Sequence, residues 1–398
     1  MKKKESLSIE TICASDAGLN VLNAHAVPVF ASSTFIYESP TEAAKIFASQ
    51  SEGFIYSRWS HPNAELIENK IAKLESYGLP NTARALAFSS GMAAFNALFQ
   101  SLLQTGDTVL VQGNIYGTSV DYFNHFGKQF GIKVIYEDFK DFEALHQHCK
   151  QHRIGVLYAE TPSNPTVNCY DIKKLSAIAH QYGCKLCVDN TFATPLLQQP
   201  LQYGADFVLH SATKFLNGHG NALSGIIVSC DIEFMQNQLW KVRKLHGSIA
   251  PPFDAWLLNN GIKTLPLRMD KHCKNTMEVA TFLSKHKAVA TVNYLGLQHH
   301  EDYKLAKKQM KDFGGVLSFE LKQGLKAGKK LMERLKVCRL TASLGTCDTL
   351  IQHPASMSHS FVPQSQREKF GITNGLVRLS VGLENINDIL NDLEQGLK

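Results

Sequence analysis

Val208-Leu209-His210-Ser211-Ala212-Thr213-Lys214 runs from an apolar stretch into a turn that holds two hydroxyls and a lysine. Phe215-Leu216-Asn217-Gly218-His219-Gly220 follows as a glycine-containing loop. A lysine amine at a strand end, flanked by hydroxyls able to bind phosphate, is what Schiff-base chemistry requires. Alone, a Ser-x-Thr-Lys is an ordinary exposed lysine. The segments around it change that reading.

Just upstream, Leu186-Cys187-Val188-Asp189-Asn190-Thr191-Phe192 is an apolar strand ending in an aspartate. A carboxylate beside an aromatic ring nitrogen keeps that nitrogen protonated and makes the ring an electron sink. Taken singly, an Asp there is more often a helix cap. Further upstream, Phe88-Ser89-Ser90-Gly91-Met92-Ala93-Ala94 leads into a helix whose first N–H groups can meet an anion. Taken singly, this too is a plain cap.

Between and around these motifs the chain alternates. Helical spacing is expected over 63–77 and 91–104. Short apolar runs are expected as strands at Thr108–Val111, Lys133–Tyr136, Gly155–Ala159, Lys185–Val188, Phe207–Leu209 and Gly225–Val228. Such runs separated by helices indicate βαβ units and a mostly parallel sheet, with functional groups gathered at the strands' carboxyl ends. A long helix is expected over Ala255–His286, then strands at Gly315–Glu320 and Leu376–Val381 and a last helix over 386–397. The 398 residues suggest about two or three domains at roughly 100–200 residues each. The expected division is an N-terminal arm (1–60), an α/β domain with helices on both sheet faces (61–258) and a smaller C-terminal α/β domain (259–398). The arm has short apolar patches such as Val27-Pro28-Val29-Phe30 and needs another surface, its own body or a second subunit.

Composition removes other classes. With 44% hydrophobic and 19% charged residues the chain is not disordered, and its size needs no disulfide or metal to fold. Lys+Arg 41 against Asp+Glu 35 leaves +6, too dispersed to argue for nucleic acid. The lysine-rich start is not followed by an apolar core, so no signal peptide is expected, and no apolar run is long enough for a membrane helix. Nine cysteines, an odd number, suit the cytoplasm.

The ordered set of an anion site at a helix start, an Asp at a strand end and Ser-x-Thr-Lys at the next strand end resembles the fold-type I pyridoxal-phosphate enzymes. Within them it is similar to the trans-sulfuration (Cys/Met metabolism) family. Further matching segments are Tyr56-Ser57-Arg58, Tyr116-Gly117, Glu160-Thr161-Pro162-Ser163-Asn164-Pro165, Ser343-Leu344-Gly345, His353-Pro354-Ala355-Ser356-Met357 and Val377-Arg378-Leu379-Ser380-Val381-Gly382-Leu383-Glu384. The likeness covers nearly the whole chain. It implies that Lys214 holds pyridoxal 5'-phosphate and shuttles protons, and that Asp189 pairs with the ring nitrogen. Tyr116 would stack on the ring and act as acid or base. The Gly91 and Met92 amides and the Ser211 and Thr213 hydroxyls would bind the phosphate, with Tyr56 and Arg58 reaching it from a neighbouring subunit. Arg378 would clamp the substrate carboxylate, with Asn164 and Ser343 orienting substrate and cofactor. The implied assembly is a homotetramer of two active-site-sharing dimers. The implied substrate is a sulfur amino acid or a homoserine ester.

Within the family, PASMSHS and GLVRLSVGLE resemble the methionine gamma-lyases. Ala342, where cystathionine enzymes commonly have glutamate, suits a methyl thioether. Thr118 and Arg243-Lys244-Leu245-His246 depart from the methionine gamma-lyase pattern, which keeps cystathionine cleavage and γ-replacement open. A PLP-binding protein without catalysis should lack Lys214, Asp189 or Arg378, and all three are present. No Walker lysine follows Ser89-Ser90-Gly91, which argues against a nucleotide loop. Cys184-x-x-Cys187 lacks a second pair for zinc and reads as core. His146, His148 and His152 read as a solvated helix face, and His299-His300 as loop surface.

Overall fold

The computed structural model describes residues 7–16 and 23–398; Met1–Ser6, the lysine-rich start, lies outside them. The apolar runs form β2 (Thr108–Gln112), β3 (Lys133–Glu137), β4 (Ile154–Glu160), β5 (Lys185–Asp189), β6 (Phe207–Ser211) and β7 (Gly225–Ser229). An unanticipated strand, β1 (Arg84–Phe88), completes a seven-stranded sheet in the order β1-β7-β6-β5-β4-β2-β3. The pairs β2–β3, β2–β4, β4–β5 and β5–β6 are parallel, and β7 runs against both of its neighbours. The middle strands are buried on both faces, as an α/β sheet requires. One apolar layer packs Phe95, Phe99, Phe123 and Tyr158 against the sheet; another gathers Leu157, Leu175, Leu186 and Val188.

A second sheet has the order β10-β11-β12-β9-β8, from β8 (Val289–Asn293), β9 (Val316–Leu321), β10 (Arg339–Leu340), β11 (Leu350–Gln352) and β12 (Leu376–Ser380). Its pairs are antiparallel except β10–β11. The helix Ile386–Gly396 covers it through Ile389 and Leu393. The single long helix expected over 255–286 is two, Pro252–Lys263 and Leu265–Lys285. Thr264 joins them, and Pro266, which has no N–H to give, stands in the first turn of the second. Residues 258 and 259 therefore lie inside a helix, whose Leu258 and Ile262 share a core cluster with Ile67, Phe215 and Leu344.

Part of the N-terminal segment packs on its own chain. Helix α1 (Ile9–Ala14) buries Ile9 and Cys13 beside α3 (Pro62–Glu75). Asp16 pairs with Lys70 at 3.0 Å and Lys263 at 2.5 Å. Beyond it, α2 (Pro40–Phe47) and its flanks are open: Ile36, Phe47 and Tyr56 are exposed. None of the nine cysteines is in a disulfide, and Cys184 and Cys187 are core residues. No helix among the described residues is long and apolar enough to cross a membrane.

Candidate active site

The carboxyl ends of β1, β2, β4, β5 and β6 deliver one functional segment each. After β1, Ser90 caps α4 (Gly91–Leu102), its side chain accepting the Ala93 N–H at 3.0 Å. The cap leaves the first N–H groups of a twelve-residue helix pointing outward, beside the end of β6. A Cβ at Gly91 would stand 2.9 Å from Ser211 Cβ and 3.1 Å from Ser211 Cα. Glycine is therefore what lets the helix start and the Ser211 strand end meet.

At the end of β5, Asp189 accepts the Thr191 N–H at 2.8 Å, and Thr191 Oγ1 accepts the Ser211 N–H at 2.8 Å. These two bonds lock the aspartate turn to the lysine turn. Burial pushes the Asp189 carboxyl up, against the Thr191 bonds. A positively charged partner at this place would relieve that cost. One layer deeper, His210 Nε2 meets Glu75 Oε1 at 2.5 Å, and Asn190 Nδ2 donates to the same oxygen at 3.0 Å.

Lys214 is half-buried, and its Nζ donates to Ser343 Oγ at 3.1 Å. Burial, seconded by the Arg378 charge, lowers its amine to about 8. An amine in that range can give and take protons near neutrality. The lysine turn is backed by Gly345, at φ 73°, whose Cβ position is 2.6 Å from the Phe215 nitrogen. Thr213 is partly committed, since its hydroxyl accepts from Ser224 N–H at 3.1 Å.

Arg378, on β12, is 3% exposed. It donates to Asn164 Oδ1 at 2.9 Å and to the Ser343 carbonyl at 2.8 Å. Gln352, directly opposite it on β11, accepts at 2.9 Å when its amide is assigned with oxygen toward the guanidinium. Burial lowers the guanidinium to about 9, which leaves it charged at neutral pH, and the Tyr116 phenol works against that fall. Tyr116, 38% exposed, precedes α5 (Gly117–Tyr122), and its N–H donates to Glu160.

Of the residues marked in the sequence, Lys214, Ser343, Arg378 and Asn164 form one hydrogen-bonded or charge-linked group, with Tyr116 beside Arg378. Gly91 meets Ser211, and Asp189 is tied to Ser211 through Thr191. Met92 lies in the first turn of α4. Tyr56 and Arg58 stand apart. Arg58 donates to the Lys244 carbonyl at 2.7 Å and lies over the Tyr56 ring at 5.5 Å, on the open N-terminal segment. The stretch Arg243–His246 forms the end of the helix Trp240–His246. Arg243 is buried there and pairs with Glu68, while Lys244 lies over Trp59 and Trp240. Sequence reasoning passed over Gln352 and Thr191. Nothing local marks Gln352, because only strand register puts it opposite Arg378.

A lysine amine, a buried carboxylate, and a helix start meeting a serine strand end are the donor set that pyridoxal phosphate needs. Residues 10–398 match the family described as Cys/Met metabolism PLP-dependent enzyme. The chain belongs to this family. Its cofactor is accordingly pyridoxal 5'-phosphate, and it is a PLP-dependent enzyme of the trans-sulfuration group with the fold-type I architecture. The L-methionine gamma-lyase of Fusobacterium nucleatum subsp. nucleatum is 43% identical over 397 residues, spanning 100% of this chain and 99% of its own. The cystathionine beta-lyase of Coxiella burnetii is 39% identical over 396 residues, spanning 99% of this chain and 98% of its own. Among solved structures, cystathionine gamma synthase from Xanthomonas oryzae pv. oryzae in complex with aminoacrylate and cysteine superposes with a TM-score of 0.92. It is 34% identical, with 98% of each chain covered.

Proposed function

We propose that this chain is a carbon–sulfur lyase that converts L-methionine and water to 2-oxobutyrate, methanethiol and ammonia. The observation that carries the reading is the Lys214–Ser343–Arg378–Asn164 group, which puts a near-neutral amine beside a buried guanidinium. Several methionine gamma-lyases at 40–43% identity over more than nine-tenths of the chain support the substrate. Ala342, exposed next to Ser343, adds no charge that would favour a substrate with a second amine.

When bound, the cofactor supplies an electron sink for negative charge developing on the substrate carbons. The Lys214 amine anchors it and afterwards moves protons at Cα and Cβ. Asp189 keeps the ring nitrogen protonated. The Gly91 and Met92 N–H groups, with Ser211 and Thr213, hold the phosphate. Arg378 fixes the substrate carboxylate through two parallel N–H donors, and Asn164 and Gln352 keep its plane oriented. Ser343 holds the Lys214 amine and Tyr116 gives the departing sulfur a proton.

Tyr56 and Arg58, on a segment that leaves large apolar groups open, complete the phosphate site of a neighbouring subunit. The working unit is a dimer that pairs into a homotetramer, and nine free thiols favour a cytoplasmic setting. The stretch around Tyr56 and Arg58 is thus the element shared between subunits. Mixing Arg58→Ala with Lys214→Ala subunits restores activity in verified hybrids if the arm acts in trans; no recovery removes this part.

The primary test is a product assay on the purified protein. L-Methionine, L-cystathionine, L-cysteine and O-acetyl- or O-succinyl-homoserine, with and without thiol, are offered, and 2-oxobutyrate, pyruvate and thiol quantified. Methionine is expected to give 2-oxobutyrate and methanethiol fastest. A new thioether from ester plus thiol as the dominant reaction overturns the reading in favour of γ-replacement. That second reading draws on Thr118 and on the O-succinylhomoserine sulfhydrylase of Pseudomonas aeruginosa, 36% identical over 373 residues.

A further inference from the structure

Glu160 ends β4 directly opposite Asp189, and it is 4% exposed. Both of its carboxylate oxygens accept the Tyr116 main-chain N–H, each at 3.0 Å. The Tyr158 hydroxyl, itself fully buried, donates to Oε1 at 3.1 Å, and the Asn164 N–H is directed at the same carboxylate. Its main chain is clasped by Gln112, which accepts the Glu160 N–H and donates to its carbonyl, each at 3.1 Å. Three donors thus converge on one carboxylate, and two of them belong to residues that face the substrate.

The Tyr116 ring itself is on the open side, and α5 has no side-chain cap. The ring's position therefore depends on how firmly its backbone is held. Two further contacts hold the same turn from the other side. His359 Nε2 lies 3.1 Å from the Ile115 carbonyl, and the Ser358 carbonyl fills the space a Cβ would take at Gly117.

A buried carboxylate beside a second carboxylate is costly, and burial with the Asp189 charge pushes the Glu160 carboxyl well up. An amide would fill the same space at lower cost. It has only one oxygen, however, and its NH2 would face the Tyr116 N–H. The amide would offer one accepting oxygen where three donors now converge.

We propose that Glu160 is a positioning residue: by gripping the Tyr116 main-chain N–H, and Asn164 with it, it fixes the Tyr116 hydroxyl against the leaving group. This rests on the role given to Tyr116 above. Glu160→Gln is the test, read in three ways. In the apoprotein, hydrogen exchange of the Tyr116 amide, followed by peptide mass over residues 113–122, should quicken about tenfold, the fold-change of one hydrogen bond lost. In the cofactor-loaded enzyme, kcat should fall by about tenfold or more, while KM stays within about twofold. In a Tyr116→Phe background, the same substitution should change kcat by less than about twofold, because the two residues act as one unit.

Unchanged exchange overturns the proposal, and so does an equal kcat loss in both backgrounds, which would make Glu160 a support of the fold alone. Should Glu160→Gln fail to fold, Glu160→Asp keeps the charge, withdraws it by one methylene and is read by the same outcomes. If the wild-type enzyme turns over none of the offered amino acids, the proposed function falls, while the exchange measurement still decides the grip.

Discussion

Replacing Arg378 by lysine exchanges a flat, two-donor fork for a single point charge. Arg378 is held by Asn164 Oδ1 at 2.9 Å, the Ser343 carbonyl at 2.8 Å and the Gln352 amide at 2.9 Å. The lysine ammonium cannot satisfy all three while also meeting a carboxylate. One charge-assisted hydrogen bond to substrate is then lost, about 1.5–3 kcal/mol. At about 1.4 kcal/mol per tenfold, KM should rise roughly ten- to hundredfold. Asp189, Gly91 and Ser211 do not touch the guanidinium, so the visible spectrum of bound cofactor should not change. Steady-state kinetics on the preferred amino acid, with an absorbance scan of each preparation, checks both. An unchanged KM would refute the assignment of Arg378 to the substrate carboxylate. A lost cofactor spectrum would refute the separation of the two subsites.

Three other outcomes follow from the same geometry. Lys214 has its amine lowered from the usual value to about 8, so between about pH 8 and the unfolded lysine value the unfolded chain binds more protons, and the apoprotein should gain stability with rising pH. The penalty is fully present below about pH 8; Lys214→Met should be the more stable apoprotein there, with the difference shrinking as pH rises in denaturant melts. Gly91→Ala puts a methyl 2.9 Å from Ser211 Cβ and should weaken cofactor binding by about tenfold or more, measured by equilibrium dialysis; an unchanged affinity removes the phosphate from this place. Asp189→Asn removes the charge proposed to keep the ring nitrogen protonated and should lower kcat by about a hundredfold or more, with the protein still folded by circular dichroism; full activity would displace Asp189 from that role.

Much of the frame was legible because parallel strands must be apolar on both faces. Runs such as Thr108–Val111 and Gly155–Ala159 read as such strands, and Gly225–Val228 reads the same way although β7 runs antiparallel, because it too is buried on both faces. β1 escaped because Arg84-Ala85-Leu86-Ala87-Phe88 is alanine-rich and lacks β-branched residues. β10 and β11, two and three residues long, are too short to show a period. Lys214, Asp189 and Gly91 could be found because each belongs to a local strand-to-turn motif. Gln352 and the grip of Glu160 on Tyr116 could not be found that way, since both depend on pairings between distant strands and turns. The N-terminal segment was half-visible: its need for another surface, its own body or a second subunit, was anticipated, but nothing local marked Asp16 as the residue that ties α1 down.

The Gly91 and Gly345 contacts have a further consequence. Both bring main chain up against main chain: Gly91 lies against Ser211, and Gly345 against the Lys214–Phe215 peptide and the root of the Phe215 ring. The cofactor seat proposed here is therefore built like a rigid jig, with its dimensions set mainly by main-chain approach. Thr118 and Ala342 are not among these contacts. Exchanging either one should redirect which thioether or ester is accepted, and leave the cofactor's seat in the same register. An enzyme of this design can change diet without being rebuilt.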